Sequence, residues 1–159
     1  MESQWWQRCG NLAQIGSAVV AVIGFGAIVL QISEIRQNNR AAAARQVYLA
    51  YSDINFRNPK FGVPDYEKFK ADPVEMEQYK SFVSYLLYAC GEALHAFGKD
   101  PVWRKSCEYE VKVHLPFLCH VRKDDPEFLE TFGVDTVGFV QELLTREKVT
   151  PPVCMPQGK

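Results

Sequence analysis

The sequence predicts an all-α protein, in which one N-terminal transmembrane helix continues into a small cytoplasmic helical bundle. An uncharged apolar run lies near the amino end of the 159-residue chain. After this run, apolar residues recur at steps of three and four, which is the spacing of one helix face. Asp-Pro pairs, which typically begin helices, interrupt the remainder of the chain. These three observations together favour helices throughout.

The stretch 12–35 is the predicted transmembrane helix. Between Ile15 and Leu30 there is no charged residue, and Ser17 carries the only hydroxyl. Such a run can lie in hydrocarbon because a helix bonds its own backbone groups. About 20 residues at about 1.5 Å each cover one bilayer core of roughly 30 Å. The alternative is a buried helix of a soluble domain, which would normally keep a polar stripe.

The residues on either side of this helix predict its orientation. Segment 1–11 carries one basic side chain, Arg8, and two aromatic residues, Trp5 and Trp6, that suit the headgroup level. Basic residues are more numerous after the helix, at Arg36, Arg40 and Arg45. The positive-inside rule therefore places the amino end outside and the carboxyl-terminal domain in the cytoplasm. A cleaved signal peptide is disfavoured because no small-residue cleavage site directly follows the apolar run.

Small residues along the helix predict packing against a second membrane helix. Their spacing of four and eight residues would let another backbone approach closely. The alternative is that small residues are simply common in membrane helices. The candidate packing residues are Ala13, Gly16, Ser17, Ala21 and Gly24.

Segment 36–56 contains no Gly or Pro, so we expect the membrane helix to continue through it. Its three arginines, Arg36, Arg40 and Arg45, have two interpretations. They contact anionic lipid headgroups at about 1 kcal/mol each, or they bind an acidic partner or an anionic ligand. Lipid contact is the simpler interpretation.

The sequence Glu34-Ile35-Arg36-Gln37-Asn38-Asn39-Arg40, followed by Ala44-Arg45-Gln46, resembles a group of bacterial single-pass membrane proteins. Those proteins have an N-terminal transmembrane helix and a small helical cytoplasmic domain. The resemblance is strongest over residues 15–56. It implies this architecture and a bacterial inner-membrane location, and it carries no catalytic residue across.

The segment 57–148 is predicted to form one helical domain, followed by a tail at 149–159. Asp72-Pro73 and Asp100-Pro101 supply an N-cap and a first-turn proline for two of its helices. The second of these helices should end where Pro116 breaks or kinks it. Residues 105–115 also alternate between polar and apolar side chains, so a short strand is the alternative structure for this segment. The expected elements are a loop at 57–73 with a short helix at 65–70, and helices at 73–97, from 101 to Pro116, at 127–132 and at 135–146.

The five cysteines lack paired spacing, so the sequence predicts free thiols rather than a disulfide framework. A metal centre is not expected, because there is no paired-cysteine element and a helix would turn the candidate ligands to different faces. These candidates are Cys107, Cys119, His120 and His114. Glu92 and His95 lie three residues apart. Two such residues more commonly form a surface pair on a helix than an acid–base pair for catalysis.

The sequence contains no nucleotide-binding glycine loop, nucleophile elbow or zinc motif. It therefore predicts no enzyme and no cofactor, and a net charge of −1 gives no general attraction to duplex nucleic acid. We expect a membrane-anchored interaction protein, an accessory or scaffold subunit whose partners are lipid, other membrane subunits or itself. The alternative is an oligomeric ligand-gated membrane effector of the bacterial anti-phage type, which senses an anionic nucleotide. Lys105, Arg122 and Lys123 would be available to such a ligand.

Overall fold

A computed structural model describes the backbone of residues 2–98 and 100–149 and the side chains of residues 20–98 and 100–149. Within these ranges the chain is helical and contains no strand, which confirms the predicted fold class. The helices are α1 (Glu2–Arg57), α2 (Pro59–Gly62), α3 (Tyr66–Lys70), α4 (Pro73–Phe97), α5 (Pro101–Lys112), α6 (Leu115–Asp124), α7 (Pro126–Glu130) and α8 (Val134–Arg146).

The helix starts follow the predicted capping chemistry at two sites. The Asp72 carboxylate accepts the backbone N–H groups of Val74 and Glu75, and the Asp100 carboxylate accepts that of Val102. Each aspartate thereby satisfies N–H groups that have no partner within the helix.

Two elements differ from the sequence-based expectation. Helix α2 (Pro59–Gly62) lies in the segment that the sequence predicts to be a loop before the short helix at 65–70. The second difference concerns Pro116. Helix α5 ends at Lys112, and a separate helix, α6, begins at Leu115 with Pro116 in its first turn. Proline lacks an N–H group that the first turn would leave unbonded anyway, so Pro116 begins a helix rather than only breaking one. The alternative of a short strand at 105–115 is excluded, because the residues of this segment up to Lys112 are helical.

The chain divides into two compact units, of which the first comprises the residues up to Arg40. It contains only the amino-terminal part of α1. From Val20 onward this helix is long and apolar enough to cross a membrane, and its apolar window is not buried against other residues. Its large apolar side chains, such as Val22 at 73% and Phe25 at 70%, are exposed.

The second unit begins at Ala41 and is organised around α4. Residues of α4 at steps of three and four are buried, which confirms the wide apolar face that the sequence predicts. Helices α3, α5 and α8 pack against it. The buried residues of α4 are Tyr79, Phe82, Val83, Leu86, Leu87, Ala89, Cys90 and Ala93.

The last four turns of α1 belong to this second core. Tyr51 is buried and its hydroxyl donates a hydrogen bond of 2.8 Å to Glu110 of α5. The Tyr48 ring contacts Trp103 edge-on at 5.2 Å between centroids. Phe61 and Phe69 pack on each other and on Tyr79, which holds the segment between α1 and α4 against the core.

Candidate partner-binding surface

The predicted packing residues of the membrane helix fall mostly outside the described side chains. The side chains of Ala13, Gly16 and Ser17 are not among those described. The same holds for Trp5 and Trp6, the two aromatic residues predicted for the headgroup level. Ala21 and Gly24 are described and exposed, and a Cβ atom added at Gly24 would meet nothing within 4 Å. No described residue therefore covers their surface, and packing against a second helix stays a prediction.

The three arginines after the apolar run have different surroundings. Arg36 and Arg40 are exposed in the first unit, and neither forms an ion pair with a described residue. Arg45 lies in the second unit, where its guanidinium is 5.2 Å from the centroid of the Phe97 ring. Such a cation–π contact is worth about 0.5–1 kcal/mol at an exposed site. Arg45 therefore helps to fasten α1 to the end of α4.

The outer face of α4 forms the base of a continuous depression, which we call the α4 groove. Three cavities of about 830, 490 and 350 Å³ succeed one another along the helix. The first two share Glu77, Ser81 and Tyr85. The last two share Tyr88, Thr131 and Phe132. Because adjacent cavities share lining residues, they form one groove rather than three separate sites.

The groove is bordered by different helices at its two ends. The first cavity is bordered by Ile54 near the end of α1, by Asn58 directly after α1 and by Phe61 of α2. Phe128 of α7 and Phe132 border the second. The groove is thus assembled from segments far apart in the sequence, and aromatic side chains recur along its length.

The charged side chains of the groove are mainly carboxylates. Glu77, Glu92 and Asp135 line it, and none of them has an ion-pair partner among the described residues. Lys80 also lines it, but its ammonium group bonds to Asp125 at 2.8 Å. That hydrogen bond raises the pKa of Lys80 and lowers the pKa of Asp125. The positive charge in the groove is therefore already engaged, and its carboxylates are not.

The sequence-predicted acid–base pair lies at one end of this groove. Glu92 and His95 line the third cavity beside Asp135 and Thr136. No hydrogen bond joins Glu92 to His95 in the described part of the chain. The two residues therefore share a surface position, and nothing in their geometry marks them as a catalytic pair.

The basic residues proposed for an anionic ligand are not gathered in the groove. Lys105 lines a separate cavity of about 350 Å³ with Tyr48, Tyr109 and Glu110. Arg122 and Lys123 are exposed near the end of α6. None of the three lines the α4 groove.

His114, which the sequence suggested only as a candidate metal ligand, is a buried polar residue. Its Nδ1 lies 2.8 Å from the Tyr79 hydroxyl, and its Nε2 has no hydrogen-bond partner among the residues that the structure describes. Burial lowers the pKa of His114 to about 4 and raises that of Tyr79. A pKa of about 4 keeps the imidazole neutral at pH 7. Nδ1 of a neutral imidazole accepts from the Tyr79 hydroxyl in one tautomer and donates to it in the other.

The expectation that all cysteines are free thiols is wrong for Cys90 and Cys107, which form a disulfide between α4 and α5. Their Cα atoms are 5.6 Å apart and both side chains are buried. A short connection joins α4 to α5. Residues that lie equally far from this connection along the two helices therefore come close to each other. Cys119 is also disulfide-bonded. Sequence spacing did not indicate the Cys90–Cys107 pair because 17 positions separate its members.

His120, which the sequence also suggested for a metal centre, is half-buried. His120 stacks on the Tyr66 ring at 5.0 Å between centroids. Among the described side chains, no group of three His, Cys, Asp or Glu residues is positioned to hold a metal ion.

No protein-family model, curated protein or solved structure matches this chain. Its function is therefore inferred from its own residues.

Proposed function

We propose that this chain is a membrane-anchored, non-catalytic interaction protein, an accessory or scaffold subunit of a membrane complex. The α4 groove is the observation that supports this proposal most strongly. Ser81 and Tyr88 are exposed within it. Tyr88 is a large aromatic residue, and residues of this kind are enriched at protein interfaces. The groove is long, open and lined by aromatic residues, which suits a protein segment.

The groove extends along most of α4. From Val74 to His95 the helix rises about 30 Å at about 1.5 Å per residue. A drug-sized ligand normally occupies a more enclosed pocket of a few hundred cubic ångströms. An amphipathic helix of about 20 residues has the same length as the groove, and docking of a helix into an apolar groove is a common mode of recognition.

The same features do not favour the alternative effector that senses a nucleotide. A nucleotide carries phosphate groups, which proteins bind with Arg, Lys or helix N-termini. Within the described residues, the groove carries three carboxylates without ion-pair partners, and Lys80 is bonded to Asp125. Binding of a phosphate there would require burial of like charges together.

For location, we propose a single-pass protein of the bacterial inner membrane with its amino end outside and its helical domain in the cytoplasm. The arginines that follow the apolar run support this orientation. The Cys90–Cys107 disulfide counts against it, because disulfides are rare in the cytoplasm. Trypsin should cleave near Arg122 and Lys123 in inverted membrane vesicles and spare them in right-side-out vesicles. The reverse pattern would place the domain in the oxidising compartment.

The test of the proposed function is the mass of the particle extracted from native membrane with mild detergent. We expect a particle larger than the monomer that contains this chain and a second protein in fixed ratio. Ser81→Trp, which fills the groove at an exposed position, should release that protein. Tyr109→Trp, at an exposed position on α5 outside the groove, should retain it. A monomer without a partner, or equal retention in both variants, would contradict the proposal.

A further inference from the structure

The carboxylates of the α4 groove lie at two places along the helix. Glu77 lines the first two cavities, and Glu92 and Asp135 line the third. Glu77 and Glu92 are 15 residues apart on one helix, which corresponds to about 22 Å. Aromatic residues, including Tyr85 and Tyr88, lie between them. The groove therefore has aromatic side chains in the middle, together with small hydroxyl groups and the paired Lys80, and it has carboxylates towards both ends.

None of these three acids forms an ion pair with another residue in the described part of the chain. Elsewhere on the second unit, the surface carboxylates of Glu108, Glu142 and Glu147 are bonded to Arg104, Lys112 or Arg146. In the groove, Glu77 raises the pKa of Lys80 by its charge, but the hydrogen bond of Lys80 goes to Asp125. A partner that brings basic groups to Glu77 and to the Glu92–Asp135 end would complete ion pairs that the chain itself leaves open.

We infer that the occupant of the α4 groove is a basic amphipathic helix of a partner protein. Its apolar face would lie over Tyr85 and Tyr88, and its Lys or Arg side chains would reach Glu77 at one end and Glu92 with Asp135 at the other. The basic positions of such a helix should be separated by about 15 residues, to match the spacing of the carboxylates. This inference rests on the proposed function and names the chemistry of the partner.

The charge pattern distinguishes this occupant from the others. Anionic lipid and nucleotides would be repelled by the carboxylates at both ends. An uncharged apolar helix would fill the middle and leave the same carboxylates next to a dry interface, which is costly. A basic helix gains at both places, and complementary charge also accelerates encounter.

The experiment is photo-crosslinking in native membranes. A benzoylphenylalanine residue replaces Tyr88 in the full chain, because Tyr88 is exposed and lines two of the three cavities. The same residue at Tyr109, exposed outside the groove, is the control. Mass spectrometry then identifies the crosslinked peptide. We expect a helical partner segment with Lys or Arg at both ends of an apolar stripe.

Charge reversal tests the role of the carboxylates separately. Glu77→Lys with Glu92→Lys should lower the crosslink yield about tenfold or more, because like charges would face each other across the interface. Glu67→Lys with Glu127→Lys changes net charge equally at exposed residues outside the groove and should leave the yield unchanged.

The outcomes separate this inference from the proposed function. If Ser81→Trp abolishes the crosslink and the groove charge reversal does not, the groove binds a partner but the occupant is not a basic helix. A crosslinked peptide without Lys or Arg, a second copy of this chain or a lipid adduct would also overturn the inference. If neither Ser81→Trp nor the charge reversal lowers the yield, both proposals fail.

Discussion

The two units of this chain use apolar side chains in opposite ways. In the first unit, Val22, Ile23 and Phe25 are each at least 66% exposed. In the second, Leu86, Leu87 and Leu118 are fully buried. Burial of apolar surface from water is worth about 25 cal/mol per Å², so a row of exposed apolar residues requires a solvent other than water. The second unit makes its own core, whereas the helix of the first unit is long and apolar enough to cross a membrane, as we propose it does.

The largest effect is expected from a charge in the first unit. Val22→Lys places a charge in the proposed hydrocarbon layer, at a cost of about 3 kcal/mol near the helix centre. We expect most of the variant to be extracted from membranes by alkaline carbonate. Val63→Lys introduces the same side chain at a comparably exposed valine of the second unit and should leave membrane association unchanged. Equal extraction of the two variants would remove the distinction between the units.

A core deletion sharpens the comparison from the other side. Leu86→Ala should lower the free energy of unfolding of the second unit by about 2–5 kcal/mol, because it leaves a cavity beneath α4. Leu49→Ala removes the same atoms from an exposed position and should change it by less than about 0.5 kcal/mol. Urea unfolding of the full chain in micelles, followed by near-ultraviolet circular dichroism, measures both. Similar losses would mean that Leu49 is covered.

The buried histidine predicts a pH dependence that belongs only to the second unit. Burial lowers the pKa of His114 to about 4, from an ordinary value of about 6.5. The unfolded chain therefore takes up this proton first as the pH falls. The resulting stability is fully present above pH 6.5 and is lost between pH 6.5 and 4, by up to about 3 kcal/mol.

Unfolding midpoints measured from pH 7.5 to 4.5 test this dependence. His114→Leu should flatten the slope between pH 6.5 and 5, although it lowers stability at pH 7.5 by leaving the Tyr79 hydroxyl unbonded. His95→Gln, at an exposed position, should keep the slope. A wild-type slope that survives in His114→Leu would assign it to other groups.

A close helix contact predicts a smaller effect. A Cβ atom added at Gly91 would lie 2.5 Å from Thr136 Oγ1, so α4 and α8 would have to separate or Thr136 would have to rotate. Gly91→Ala should cost about 1–3 kcal/mol. Gly138→Ala, where an added Cβ meets nothing within 4 Å, should be neutral or stabilise α8 by up to about 1 kcal/mol.

A double variant checks the cause of that cost. Combined with Thr136→Ala, the Gly91→Ala change should cost less than it does alone, because the clashing hydroxyl is gone. Additive losses, measured by the same urea titration, would show that the contact with Thr136 is not the reason.

The smallest predicted effect concerns the attachment of α1 to the second core. Tyr51→Phe removes the hydroxyl that bonds to Glu110 and should cost about 1 kcal/mol. Tyr109→Phe removes a hydroxyl from an exposed tyrosine and should cost nothing measurable. Equal stabilities of the two variants would mean that the bond to Glu110 does not hold α1 in place.

The parts of this fold that depend on neighbouring residues in the sequence could be predicted from it. Asp72 and Asp100 begin α4 and α5 as expected, because a cap needs only the next three residues. The buried face of α4 follows directly from its spacing. Helix α6 was missed because Pro116 has opposite meanings inside a helix and in its first turn, and only the end of α5 at Lys112 decides between them.

The candidate site could be predicted only in part. Ser81, Tyr85 and Tyr88 lie on the side of α4 opposite its buried stripe, so their shared face could be derived from the sequence. The borders of the groove could not, because they come from α1, α2 and α7. The Tyr79–His114 hydrogen bond and the Cys90–Cys107 disulfide also depend on which helices pack together.

The most direct test of the contrast between the units is the solvent around two exposed apolar positions. An environment-sensitive fluorescent amino acid replaces Phe25 in one variant and Leu49 in another, at 70% and 69% exposure. In vesicles that contain brominated lipid, the probe at position 25 should be strongly quenched, and the probe at position 49 should respond to aqueous iodide instead. Equal quenching of both probes by iodide would contradict a lipid-covered first unit and, with it, the membrane anchor.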